Sequence, residues 1–301
     1  MATRAMMAAT RTAAVTLALI SAFAVTGCSG SPEEITLPPS TGSFDYQLGG
    51  AYDALPADSA QVTTAEAATA TTSIDVVVRD SAADPLPDAY SICYVNGFQT
   101  QPDEAEDWAD DEDVLLHDGD GELVNDPDWP DEHILNPETG HARTVILDRL
   151  GEVIDGCGRK GFAAVEIDNL DIAQRFESIS EDGVHALARA YVDRAHRAGL
   201  AIAQKNAAEI SRTAHEDLGF DFAVTEECAA FDECGAYTEV YGDHVLEIEY
   251  PDSLAGADLT YSSACDRSDR APLTILRDRD LVAAGESGYR FESCPSPSRR
   301  M

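Results

Sequence analysis

The amino-acid sequence predicts an α/β protein folded as a (β/α)8 barrel of the TIM type, with a long acidic insertion after the third strand. Three observations lead there. Eight short apolar runs recur between residues 44 and 276, several of them separated by helical stretches, the alternation that a parallel barrel requires. Polar and ionisable residues gather at the C-terminal ends of those runs, where barrels of this kind carry their chemistry. The 301 residues, 44% of them hydrophobic, can bury one large core, and no repeat of 20 to 50 residues suggests a solenoid.

The elements follow in chain order. Residues 1–27 carry Arg4 and Arg11, then an uncharged apolar stretch from Ala13 to Val25 that is too short to span a bilayer; a signal peptide is expected. Val25-Thr-Gly-Cys28 has the pattern of a bacterial lipobox, so Cys28 is the expected lipidation site and residues 28–42 a lipidated cysteine and tether. The barrel is expected over 43–296 and a C-terminal tail over 297–301. Predicted strands are Phe44–Leu48, Ile74–Val78, Tyr90–Val95, Phe162–Ile167, Leu200–Gln204, Phe220–Thr225, Val245–Glu249 and Leu273–Leu276. Predicted helices cover Thr63–Thr72, Ala142–Ile154 with Val145, Leu147 and Leu150 facing the core, Ser180–Ala198, and Ala207–Glu216. In Ser180–Ala198, Ser178 with Glu181 fits a capping box, Val184, Leu187, Tyr191 and Ala195 recur at helical spacing, and Gly199 is the stop.

Charge narrows the function. With 56 acids against 20 lysines and arginines the formal charge is -36, and removing residues 1–27 takes two arginines and no acid, leaving -38. No basic surface remains to neutralise phosphates, so a nucleic-acid partner is excluded. Fifteen acids lie between Asp103 and Glu132, and no Lys or Arg occurs from Asp80 to Ala142. A segment of that length, Pro102–Asn136, reads as a functional loop or a surface excursion. Asp118-Gly-Asp-Gly-Glu122 resembles a calcium loop, but an EF-hand register puts Leu123 where Gly is required and Trp129 where the bidentate Glu belongs, so no metal is expected.

Export leaves six cysteines for disulfides: Cys93, Cys157, Cys228, Cys234, Cys265 and Cys294. Cys228 and Cys234 are close enough to staple one loop, Cys265 and Cys294 would tie down the C-terminus, and Cys93 and Cys157 remain. Spacing alone leaves every pairing open. A zinc site has no C-x-x-C or neighbouring His to support it.

Six predicted strands end in polar groups: Asp45-Tyr46, Tyr94 with Asn96, Glu166-Ile-Asp168-Asn169, Lys205-Asn206, Glu226, and Glu249-Tyr250. Glu166 and Asp168, two apart, lie on one side of their strand. Paired carboxylates with aromatics are what glycoside hydrolysis needs, one acid protonating the leaving oxygen while the other attacks or activates water.

The ordered words Phe44-Asp-Tyr-Gln-Leu-Gly-Gly50, Ile92-Cys-Tyr-Val-Asn96, Gly161-Phe-Ala-Ala-Val-Glu-Ile-Asp-Asn169, Gly199-Leu-Ala-Ile-Ala-Gln-Lys-Asn206, Phe220-Asp-Phe-Ala-Val-Thr-Glu-Glu-Cys228, Asp232-Glu-Cys234 and Glu247-Ile-Glu-Tyr250 resemble glycoside hydrolase family 114, the endo-α-1,4-polygalactosaminidases. The resemblance spans about residues 44 to 294. It implies a barrel that hydrolyses α-1,4-linked galactosamine polymers, with Asp168 and Glu226 as the catalytic acids. Tyr46, Lys205, Asn206, Glu249 and Tyr250 match further pocket motifs; with the strand-end residues Asp45, Tyr94, Asn96, Glu166 and Asn169 they form the expected substrate-binding set. Asp128-Trp-Pro-Asp-Glu132 resembles the family's tryptophan loop and makes Trp129 a stacking platform. Two departures stand out: Asn96-Gly-Phe-Gln99 replaces a Gly-Ser-Trp-Glu-like stretch, which touches sugar specificity, and Ile167 replaces proline. Asp168 is expected as nucleophile and Glu226 as acid/base.

No cofactor is implied, since neither a G-x-G-x-x-G nor a G-x-S-x-G motif occurs. The expected partner is a polysaccharide, a polycation where it is a deacetylated galactosamine polymer, and the chain is expected to act as a monomer held to the membrane only by its lipid. The main rival is a non-catalytic cell-surface polysaccharide-binding lipoprotein. A metal-dependent phosphodiesterase is disfavoured because none of the seven histidines ends a predicted strand.

Overall fold

The structure, a computed structural model, describes residues 35–56 and 72–295. The expected signal peptide, Cys28, the first part of the tether, the C-terminal tail and, apart from Thr72, the helix over Thr63–Thr72 lie outside the described residues. All eight expected strands form: β1 (Phe44–Gln47), β2 (Val76–Asp80), β3 (Tyr90–Asn96), β4 (Ala164–Asp168), β5 (Ala201–Lys205), β6 (Phe222–Glu226), β7 (Val245–Glu249) and β8 (Leu273–Arg277). Each pairs in parallel with the next, in chain order. A ninth, β9 (Phe291–Ser293), runs antiparallel on β8. It was not expected, having three residues of which two are exposed.

The result is a nearly closed TIM-type barrel. At its seam the buried Arg277 of β8 reaches β1, pairing with Asp45 Oδ1 at 2.8 Å and donating to the Tyr46 carbonyl. Period-two alternation divides the strands into two cores. Phe44, Val76, Val78, Ile92, Ala164, Ala201, Ala203, Phe222, Val224, Leu246, Ile248 and Ile275 fill the interior. Cys93, Val95, Val165, Ile167, Ile202 and Ala223 face outward to the helices.

The helices pack by the same logic. In α1 (Gly140–Lys160), Thr139 caps the N-terminus by accepting from Ala142 N, and Gly161 closes it at φ 97°. Its buried stripe is Ala142, Ile146, Leu150, Ile154 and Cys157; the expected Val145 and Leu147 are only partly buried, one position off the stripe. A turn α2 (Ile172–Arg175) leads to α3 (Glu181–Arg197), which buries Val184, Leu187, Tyr191 and Ala195 as expected. Its cap is Ser180, accepting from Gly183 N, rather than Ser178. The expected helix over Ala207–Glu216 is instead a 3-10 turn (Ala208–Ile210), α4 (Ser211–Thr213) and a π turn (Ala214–Leu218). Further on are α5 (Cys234–Tyr241), α6 (Pro251–Gly256) and α7 (Tyr261–Cys265).

The acidic segment between β3 and α1 extends the outer core between strands and helices. A 3-10 stretch, Pro102–Val114, buries Trp108 under the Arg149 guanidinium of α1, 4.6 Å from the ring centroid. Val114, Leu115, Leu116, Ile134 and Leu135 are buried with it. The Asp118–Glu122 stretch is a tight turn in which Asp118 Oδ1 accepts from Asp120 N and Glu122 N.

Three disulfides join Cys93 to Cys157, Cys228 to Cys234, and Cys265 to Cys294. The first ties β3 to α1 across 64 residues, and closing a loop of that length stabilises by about 4 kcal/mol through the unfolded chain.

Candidate active site

Strand parity aims Tyr46, Tyr94, Glu166, Asp168, Lys205, Glu226 and Tyr250 into the C-terminal mouth of the barrel. Lys205, 2% exposed, is the hub: its Nζ lies 3.0 Å from Glu226 Oε2, 3.4 Å from Glu166 Oε1 and 3.6 Å from Asp168 Oδ2, and donates to Tyr46 OH at 3.0 Å. Each carboxylate also has its own phenol. Tyr46 donates to Glu166 Oε1 at 2.8 Å, Tyr94 to Asp168 Oδ2 at 2.7 Å, and Tyr250 to Glu226 Oε1.

Exposure sorts the three acids. The Glu166 side chain is fully buried, whereas those of Asp168 and Glu226 are 18% and 21% exposed and so reach the mouth. Burial pushes Glu166 up to about 7, an effect that Lys205 partly offsets. Burial alone would depress Lys205, but Asp168, Glu226 and Glu166 outweigh it and hold the ammonium well above its usual range. Burial, reinforced by the carboxylates, pushes Tyr46, Tyr94 and Tyr250 upward, so all three remain phenols and donors.

The chain turns sharply after β4, β5 and β6. Asn169, Asn206, Ala207 and Glu227 adopt φ of 63°, 51°, 60° and 65°. Asparagine tolerates this left-handed region, while for alanine and glutamate it is strained, a cost that clusters at functional sites. Asn206 Oδ1 accepts from Glu226 N at 2.8 Å and so fixes the neighbouring strand end. At the end of β3, Gly97 is required: a Cβ there would overlap Ile167 Cγ2.

A second ring surrounds the mouth. Asn169 Nδ2 donates to Asn96 Oδ1, Asn96 Nδ2 to Glu132 Oε2, and Arg175 Nη2 to Asn169 Oδ1. Arg175 also pairs with buried Asp126. Asp126 Oδ1 accepts from Trp129 N at 3.3 Å, so the tryptophan loop is anchored on the rim with the indole 62% exposed. Burial pushes Glu132 up to about 7; the Asn96 bond works against this and Asp168 adds to it.

Two expected site residues are not brought to the cluster. Asp45 faces outward and serves the seam through Arg277, with Gln47 donating to it at 2.9 Å. Glu249 also faces outward, because β7 aims Leu246, Ile248 and Tyr250 inward; its Oε1 accepts from Ala229 N at 2.8 Å. Glu132 and Arg175 join the site without having been expected, and only the Asp128–Glu132 stretch hinted at the former. Among the described residues one group of ligand atoms lies within 4.8 Å of one another, in Cys228, Cys234, Glu247 and Glu249, but its two sulfurs are joined in a disulfide and offer no thiolate.

In comparisons with known proteins, the chain matches Glycoside-hydrolase family GH114 over residues 25–298. No curated protein matches it. Among solved structures it is similar to Ega3 of Aspergillus fumigatus, solved in complex with galactosamine, at 19% identity and TM-score 0.58, covering 85% of this chain and 98% of that one. It is also similar to the glycoside hydrolase domain of PelA from Pseudomonas aeruginosa, at 17% identity and TM-score 0.48, covering 81% and 98%. The likeness to Ega3 is one of fold.

Proposed function

Because the chain belongs to glycoside-hydrolase family GH114 and is thereby a glycoside hydrolase, we propose that it cleaves α-1,4-linked galactosamine polymers internally, with Asp168 as nucleophile and Glu226 as acid/base. The observation that carries this reading is the Lys205 hub. It gathers three carboxylates, and only Asp168 and Glu226 are open to a substrate. Their oxygens face the same Nζ at 3.6 and 3.0 Å, so they can lie no further apart than the sum of those distances. For Asp168 Oδ2 and Glu226 Oε2 that bound accommodates the roughly 5–5.5 Å spacing of retaining glycosidases and meets only the lower edge of the roughly 6.5–9.5 Å of inverting ones, which supports retention.

In this mechanism an Asp168 oxygen attacks the anomeric carbon as the glycosidic C–O bond breaks, and Glu226 gives its proton to the leaving oxygen. Water then attacks the same carbon, Glu226 takes the proton, and Asp168 is released. Tyr94 and Tyr250 hold the two carboxylates in orientation, and Lys205 stabilises charge at the base of the site. Glu132 adds a further carboxylate on the rim, suited to a sugar ammonium. Substrate class rests on the family together with this anionic mouth; the neighbouring Ega3 was solved with galactosamine.

The same reading has the protein exported and anchored as a monomeric surface lipoprotein through Cys28. The three disulfides support an oxidising compartment. The test is a panel of acetylated and deacetylated galactosamine and glucosamine polymers. Release of reducing ends from galactosamine polymer supports the proposal; binding without release supports the non-catalytic alternative.

A further inference from the structure

Among the described residues, the large apolar side chains most open to water are Phe231, 66% exposed, and Trp129, 62% exposed. Trp129 sits on the rim after β3. Phe231 sits in the loop that follows β6, directly after Glu226, at the same end of the barrel. The strands that carry Asp168, Lys205 and Glu226 are β4, β5 and β6, so the two aromatics stand on loops flanking the reacting groups.

The Phe231 loop is fastened with unusual completeness. The Cys228–Cys234 disulfide closes it at its base. Two of its residues, Glu227 and Asp232, hold left-handed φ of 65° and 60°, and each is pinned by an arginine: Glu227 by Arg279 at 2.7 Å and Asp232 by Arg267 at 2.7 Å. Inside the loop Phe231 N donates to Glu227 O and Glu233 N to Cys228 O, while Ala229 N donates to buried Glu249. A cystine, two ion pairs and the buried Glu249 hold a strained eight-residue loop, Glu227–Cys234, whose apolar side chain is left in water. A core role cannot account for that exposure, and the fastening lowers the entropy cost of ordering the loop backbone beneath the ring when a ligand arrives.

We infer that Phe231 is a sugar-binding platform: a rigid aromatic face for a residue of the polysaccharide beyond the cleavage point, on the opposite side of the cleft from Trp129. The inference rests on the proposed polysaccharide substrate. A phenyl face suits the apolar C–H face of a pyranose, and it also attracts an ammonium-bearing sugar. Platforms on the loops after β3 and β6 bracket the strands that carry the acids, an arrangement suited to internal attack on a long chain. The outward-facing Glu249, which the catalytic cluster does not use, gains a role as the buried tie of this loop.

The test compares wild type with F231A and F231Y on long α-1,4-linked galactosamine polymer and on the shortest oligomer that is cleaved, with chain affinity measured separately in the D168N background. Loss of one stacking contact should raise KM for the polymer roughly three- to tenfold in F231A, with kcat and short-oligomer kinetics changed less than twofold, and F231Y should restore the wild-type value. An unchanged polymer KM in F231A overturns the inference. So does an equal loss on short and long substrates, which marks a structural role, or a wild-type dimer that F231A dissociates in sedimentation, which assigns the ring to a second copy of the chain. Failure of the substrate reading is separate: it appears as a wild-type enzyme that releases no reducing ends.

Discussion

Lys205 Nζ lies 3.0 Å from Glu226 Oε2, with the lysine almost wholly buried and the glutamate opening to the mouth of the barrel. The two come from adjacent strands, and the same ammonium faces Asp168 and Glu166. One buried cation thus holds together a site that would otherwise repel itself apart.

Replacing that cation with a neutral side chain of similar length should therefore damage both stability and turnover. K205M leaves three carboxylates without their shared partner, and breaking a buried charge pair costs about 3–5 kcal/mol. Thermal unfolding should show Tm lower by roughly 10 °C, and reducing-end assays should show activity down at least about a hundredfold. A variant with wild-type Tm would mean that the cluster is held by its tyrosines alone.

Glu132 should discriminate between amine and acetamide. Its carboxylate sits on the rim, hydrogen-bonded to Asn96, with burial pushing it up to about 7. E132Q should raise KM about threefold to tenfold for deacetylated polymer, as loss of one charge-assisted contact implies, and leave KM for acetylated polymer nearly unchanged. Equal effects on both substrates would remove Glu132 from amine recognition.

Stability should fall as pH rises from about 4.5 to about 8. Burial pushes Glu247 up to about 7 and Glu249 to about 8, with Glu247 adding to the latter. Each has one oxygen with no hydrogen-bond partner among the described residues. Folded glutamates with raised pKa hold protons that the unfolded chain has already released, so the native state loses stability through this window. Glu166, also pushed up to about 7, acts in the same direction, as does His196, raised by its bond to Asp221, whose stabilisation fades as it deprotonates. Urea unfolding at pH 5 and pH 8 should show a smaller difference for E247Q/E249Q than for wild type; an unaltered slope would place the titration elsewhere.

The acidic surface should steer cationic substrate. With kcat/KM measured on deacetylated polymer, raising ionic strength from about 0.01 M to 0.15 M shortens the Debye length from about 30 Å to 8 Å and should lower the value severalfold. A flat response would leave the charge as a solubility feature.

Much of the fold was legible because the barrel strands are apolar runs bounded by turn residues, and period two then dictates what faces inward. Asp168, Lys205, Glu226, Tyr46, Tyr94 and Tyr250 stand at the ends of those runs in the sequence, and the folded chain gathers their side chains around one ammonium. The same rule, applied to the residue beside each strand end, separates Glu249 from Tyr250 and Asp45 from Tyr46: the first of each pair points outward, toward Ala229 or Arg277. Proximity to a strand end had masked that parity. Other features depend on contacts made only in the folded chain. Trp108, Val114 and Leu116 join the outer core, a role that the surrounding acids conceal in the sequence, β9 exists through its pairing with β8, and Arg175 enters the rim through Asn169 and Asp126.

The most direct test of the account is turnover by D168N and E226Q, each confirmed as folded, on α-1,4-linked galactosamine polymer, with the anomeric configuration of the wild-type product followed by NMR. The account predicts a loss of at least about a thousandfold in each variant and a product of retained configuration. Near-normal turnover in both variants would contradict it.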